Sequence, residues 1–141
     1  MRQEAHIRFC VFDFGDDPSV VTKTLGIEPT KAFAKGDMFP NHPKNFRQNS
    51  IWELRSPLPL SADAEEHIES LLSILESKIE IVQTAKENFD AGISCAIYYR
   101  NGCNQGFHLS EFIIARIAKM SLSIDFDLYF LGEDESENDE N

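Results

Sequence analysis

Residues 122–131 constrain the fold more than any other stretch. Leu122, Ile124, Phe126, Leu128 and Phe130 alternate with Ser123, Asp125, Asp127 and Tyr129. A period of two puts the apolar side chains on one face of an extended strand and the polar ones on the other. Such a strand belongs in a sheet buried on one side only, the pattern of mainly antiparallel sheets. Four further segments fit the same sheet. In residues 6–14, Ile7, Phe9 and Val11 oppose His6, Arg8 and Cys10, with both faces apolar near Phe12 and Phe14. Residues 30–35 make a short strand, with Ala32 and Ala34 opposite Phe33. In residues 50–56, Trp52 and Leu54 oppose Glu53 and Arg55, and Pro57 and Pro59 end the ladder because neither donates. In residues 91–100, Ile93, Cys95, Ile97 and Tyr99 oppose Ser94, Ala96, Tyr98 and Arg100.

Helical segments separate these strands. Asp17 suits an N-cap and Pro18 the first turn of a helix over 18–25, buried through Val21 and Leu25 and closed by Gly26. Residues 61–88 carry a stripe of Ile68, Leu71, Leu72, Leu75, Ile79 and Val82 at spacings of three and four. Asp63 with Glu66, and Ser77 with Glu80, are two capping boxes in that run, so the spacing predicts a kink or restart near residues 76–78. Ser110 caps a further helix over 111–120, with Leu109 and Ile114 spaced as a hydrophobic staple. Residues 38–49 are turn-rich and non-periodic and read as a mobile loop, and residues 101–106 read as a loop.

The order is β-α-β-β-α-β-α-β. It predicts an α+β fold: a mainly antiparallel five-stranded sheet with helices packed on one face. The first six elements match a split βαβ, ferredoxin-like core, to which a helix and a strand are added. One domain over residues 1–132 suits a chain of 141 residues, which at this size hides about 68–70% of its unfolded surface. Residues 133–141 hold six acids and no base, about half of the net charge of −11, and read as a disordered acidic tail. The acidic body argues against a nucleic-acid partner, which requires clustered cations. Cys10, Cys95 and Cys103 lack metal-ligand spacing and read as free thiols in a reducing compartment. No apolar leader opens the chain and no run spans a bilayer, so the expectation is a soluble cytoplasmic protein with no membrane partner.

Three signatures then stand in one order. They are Gly26-Ile27-Glu28-Pro29-Thr30 followed by Lys35-Gly36-Asp37; Gly106-Phe107-His108-Leu109-Ser110; and Leu122-Ser123-Ile124-Asp125-Phe126-Asp127-Leu128-Tyr129. With the Trp52 strand and the Glu65-Glu66-His67-Ile68 helix start, they make residues 6–130 resemble the bacterial family called domain of unknown function 4279. The resemblance implies a compact bacterial α+β domain and supplies no reaction, cofactor or catalytic residue. Some members look like neighbours of toxin systems, which implies an immunity role as one alternative. The resemblance also places a glycine between the last helix and the last strand, where this chain carries Met120-Ser121.

Two surfaces are candidate sites. The sheet face away from the helices carries Arg8, Glu53, Arg55, Ser94, Tyr98, Arg100, Asp125, Asp127 and Tyr129. Arginines there can hold an anion, acids orient it, and tyrosines anchor a partner. The same pattern also describes a solvated face with cross-strand charge pairs, each contributing about 0.2–1 kcal/mol. Asp125 and Asp127 point the same way from one strand, as a metal pair or an acid–base pair would. The sequence places no third ligand, and ion pairing to Arg8 or Arg100 is the favoured reading. The second surface is a basic loop with Lys31, Lys35, Lys44 and Arg47, an anion site or a solvated loop, without any phosphate-cradling glycine motif. His108 precedes a helix N-terminus with no nucleophile spaced to it, and His6, His42 and His67 carry no chemical pattern.

A complete core pattern with no catalytic constellation and no cofactor motif points to a non-catalytic binding or interaction module. Its partner is a protein or a small anionic ligand, with self-association through the sheet face or an edge strand as one mode. An immunity-type inhibitor of a toxin is the first alternative, and a small-molecule enzyme using His108 with Asp125 or Asp127 the second.

Overall fold

The computed structural model describes residues 3–102 and 106–132. The acidic tail and Cys103 lie outside the described residues. The order is β1 (Gln3–Phe12), α1 (Ser19–Leu25), β2 (Lys31–Phe33), β3 (Met38–Phe39), β4 (His42–Phe46), β5 (Ile51–Arg55), α2 (Ala64–Glu76), α3 (Ile79–Ala85), β6 (Asp90–Tyr99), α4 (Glu111–Lys119) and β7 (Ser123–Phe130). The main sheet has five strands in the order β2-β5-β1-β6-β7. Its pairs are antiparallel except β6 with β7, which run parallel, so the sheet is mixed but mostly antiparallel. The parallel pair requires a crossover, and α4 lies in it.

The eight-element order needs one correction. Residues 38–46, expected as a mobile loop, form a second two-stranded sheet. Pro40 and Asn41 make its turn, and Asn41 takes the positive φ of 67° that asparagine tolerates. The long helical run divides between Glu76 and Ile79, where a restart was expected, by another device. Ser77 Oγ donates back to the Ile74 carbonyl at 2.6 Å, and Lys78 occupies the cap position of α3. Asp63 stands at the N-cap of α2 without a side-chain capping bond. Helix α1 starts at Ser19, and Asp17 Oδ1 accepts from the Ser19 N–H at 3.0 Å.

The core lies between one sheet face and the helices. From β1 come Ala5, Ile7, Phe9 and Val11; from β6, Ala91, Ile93, Cys95, Ile97 and Tyr99; from α2, Ile68, Leu71, Leu72 and Leu75. Trp52 is fully buried, meets Phe9 edge-on at 6.1 Å and donates its Nε1–H to Thr22 Oγ1 at 3.0 Å. Ile124 and Phe126 are partly buried against this core. Gly92 opposes Ser123 where β6 and β7 approach closely, and a Cβ there would meet Ser123 Oγ at 2.4 Å.

Two devices fix α4. Ser110 Oγ accepts from the Ile113 N–H at 3.3 Å, the expected cap, and the Ser110 N–H donates to Glu65 on α2 at 2.7 Å. Leu109 packs against the core, whereas Ile114, its expected staple partner, is exposed. At the other end, the Leu122 N–H reaches the Ile117 carbonyl and the Ser121 N–H reaches the Ala118 carbonyl, the paired bonds of a Schellman motif. Ser121 holds the position usually given to glycine, with φ at 57°. Arg116 clasps α2 by donating to Glu76 at 2.6 and 2.9 Å and to Glu69.

Candidate functional site: the open face of the sheet

Alternation carries Arg8, Glu53, Arg55, Ser94, Tyr98, Asp125, Asp127 and Tyr129 to the sheet face away from the core, and the register decides which of them meet. Arg8 stands directly opposite Arg55 on one side and Ser94 on the other, and Glu53 stands opposite Cys10 and Lys31. Two arginines facing each other across a ladder repel. Glu53 resolves this: its Oε1 accepts from Arg8 Nη1 at 3.3 Å and its Oε2 from Arg55 Nε at 3.1 Å. The carboxylate is therefore interior, with Glu53 only 4% exposed, and is not the surface acid that alternation alone suggests. Two cations thus bind one buried anion, and Lys31 stands opposite Glu53 in register on β2. One residue of the basic-loop candidate thus joins the sheet-face candidate.

The other half of the face has the opposite sign. Asp125 and Asp127 on β7 lie beside Ser94 and Ala96 of β6 and make no ion pair among the described residues. The expectation that they pair with Arg8 or Arg100 is corrected. Arg8 takes Glu53, and Arg100 reaches Glu4 at 3.6 Å, because antiparallel pairing sets these groups nearer than β7. No group of three or more metal-ligating side chains occurs among the described residues. His108 lies in a cleft with Asp63 and Glu65, whereas Asp125 and Asp127 line a different depression with Cys10 and Asp90, so His108 does not share a cleft with them.

An aromatic row crosses the face. His6 meets Tyr98 edge-on at 5.4 Å, and Tyr98 stacks on Tyr129 at 4.7 Å. A cavity of about 230 Å³ opens beside this row, lined by His6, Arg8, Arg55, Tyr98, Leu58 and Leu60 among others. Its wall follows from the two prolines. The Ser56 N–H donates to Ile7 and the Ala5 N–H to Leu60, but Pro57 and Pro59 between them have no N–H to give. The chain leaves the edge of β1 over that interval, and the cavity lies there.

His67 closes the cavity floor from the first turns of α2 and is 1% exposed. Its Nδ1 lies 2.7 Å from Ser56 Oγ, and its Nε2 is buried without a hydrogen-bond partner. Burial holds the imidazole below the ordinary histidine range. The Pro59 and Ala62 carbonyls and Glu66 oppose that shift without overcoming it, and neither carbonyl is in hydrogen-bonding geometry with Nε2. A neutral ring accepting the Ser56 hydroxyl proton at Nδ1 fits this environment. Burial also pushes the thiols up, Cys10 to about 11 and Cys95 to about 12, so neither suits nucleophilic chemistry.

The remaining basic-loop residues diverge. Lys35 borders a depression with Asp13, Asp16 and Asp90, and Lys44 is exposed on β4. The Arg47 guanidinium lies 3.5 Å over the Phe33 ring and 4.3 Å from the Phe39 ring, a packing role between two aromatic faces. Sequence reasoning passed over His6, Ser56, Leu58, Leu60 and His67. His6 was within reach, two residues before Arg8 on the same face. So was the burial of His67, whose position falls on the apolar stripe of α2.

The comparisons give a family and no activity. The family model described as Domain of unknown function (DUF4279) matches residues 3–131, and the chain belongs to that family. No curated protein and no solved structure matches it.

Proposed function

For this member of a family defined without a function, we propose a non-catalytic binding module that holds a small organic anion on the open face, between Arg8 and Arg55. One observation carries the reading. Arg8 and Arg55, directly opposite in register, share a single buried carboxylate and both line a cavity of about 230 Å³. Glu53 orients both and uses only part of their fixed donor sets, leaving donors for a carboxylate or phosphate ester. Tyr98, Leu58 and Leu60 supply apolar walls for the body of the ligand. The volume is below the about 300–1,000 Å³ of drug-sized pockets, which favours a small ligand. The same reading treats β1, α1, β2, β5, α2 and β6 as a split βαβ, ferredoxin-like core, supported by their antiparallel order β2-β5-β1-β6.

Titration calorimetry with phosphate, succinate and benzoate tests the proposal. Saturable binding of at least one is expected, weakened about tenfold or more (about 1.4 kcal/mol) by Arg8→Met or Arg55→Met and unchanged by Lys44→Met. Binding no tighter than about 1 mM for all three, or equal loss in Lys44→Met, would overturn it.

A further inference from the structure

The two edges of the main sheet are unlike. The β2 edge is three residues long and begins with Lys31, a short charged edge of the kind that resists pairing. The β7 edge is eight residues long, with no lysine, no proline and no bulge against β6. No described strand pairs with its outer side. Its core-side residues become progressively uncovered along the strand: Ile124 and Phe126 are partly buried, Leu128 is 42% exposed and Phe130 62%. Its other side presents Asp125 and Asp127, which make no ion pair among the described residues.

We propose that the outer edge of β7 is a docking edge for an extended segment of another protein in which basic and apolar residues alternate. A strand laid along β7 sets its side chains beside those of β7 on each face. The apolar set would cover Leu128 and Phe130, while the basic set would meet Asp125 and Asp127. Main-chain bonds supply affinity and the two faces supply selection, the mode of β-strand addition. Charge complementarity selects this occupant over two others. A second copy pairing through β7 would bring the same carboxylates together on one face, and like charges in that position destabilise. The chain's own residues 133–141 carry six acids and are repelled for the same reason. The inference is independent of the anion site on β1 and β5.

The probe is a fluorescently labelled, end-blocked peptide of seven residues alternating lysine and valine, read by polarisation and by amide exchange of the full chain. Saturable binding with slowed exchange along β7 is expected. Asp125→Asn with Asp127→Asn should weaken it about tenfold or more, and both positions are exposed, so the fold should tolerate the change. A glutamate–valine peptide, and a lysine peptide broken by a central proline, should fail to bind. The proposal is overturned by no binding of the lysine–valine peptide, by equal binding of the proline-broken peptide, by indifference to the double substitution, or by a β7-paired dimer at neutral pH.

Discussion

Replacing Glu53 by glutamine examines the platform on which the anion reading stands. The carboxylate accepts from Arg8 at 3.3 Å and from Arg55 at 3.1 Å. Both distances exceed the about 2.7–2.9 Å of the strongest charge-assisted bonds. Each bond therefore belongs at the lower end of the about 1.5–3 kcal/mol that hydrogen bonds to charged groups contribute. Glutamine keeps the shape and one accepting oxygen, so one bond is lost and the other loses its charge. Stripping one member from a fully buried pair costs about 3–5 kcal/mol. That is an upper bound, because Arg8 and Arg55 keep 33% and 41% of their side chains exposed and water re-solvates them. The expected loss is about 1.5–3 kcal/mol, roughly 5–10 °C in Tm for a chain of this size. Urea unfolding followed by the fluorescence of Trp52, the one tryptophan, measures it, provided the slope against denaturant is unchanged. In a chain already carrying Arg8→Met and Arg55→Met the same substitution should cost less than half as much, since no guanidinium is left unpaired. A loss within about 0.5 kcal/mol of zero, or an equal loss in both backgrounds, would refute the shared-carboxylate account.

Other expectations follow from particular residues. Ser121→Gly should stabilise the chain by about 1 kcal/mol in the same assay, because Ser121 sits at a φ of 57°; unchanged or lower stability would count against strain at that cap. Stability should fall as pH drops from about 6.5 toward 5. His67 is held neutral by burial, so the unfolded chain binds its proton more readily in that window. His67→Gln should flatten this slope, and an unaltered slope would assign it elsewhere. Cys10 and Cys95, buried and with raised pKa, should stay unlabelled by a thiol reagent at pH 8 until denaturant is added, as read by mass mapping.

The strands were legible because alternation is local. Trp52 and Leu54 against Glu53 and Arg55, or Ile124 and Phe126 against Asp125 and Asp127, are assigned to faces by period alone. The burial of Glu53 was not legible, because Arg8, which helps cover it, lies 45 residues away and is set across from Arg55 only by strand register. For the same reason the partners of Arg8 and Arg100 were misassigned to β7. The hairpin of β3 and β4 carried a turn signal at Pro40-Asn41, but strands this short, with Pro43 inside one of them, show no period. The cavity was hidden because backbone bonds shape it: Ser56 and Leu60 are pinned to β1 by main-chain bonds that no side-chain pattern records. Where the resemblance led to the expectation of a glycine, Ser121 itself takes up the left-handed backbone.

The most direct test is an amide-resolved NMR titration of the full chain with the best anion from calorimetry. The account predicts saturable shifts concentrated at His6, Arg8, Arg55, Ser56 and Tyr98, and absent from Lys35 and Lys44. Shifts centred on Lys35 and Lys44, or none at saturating anion, would contradict it.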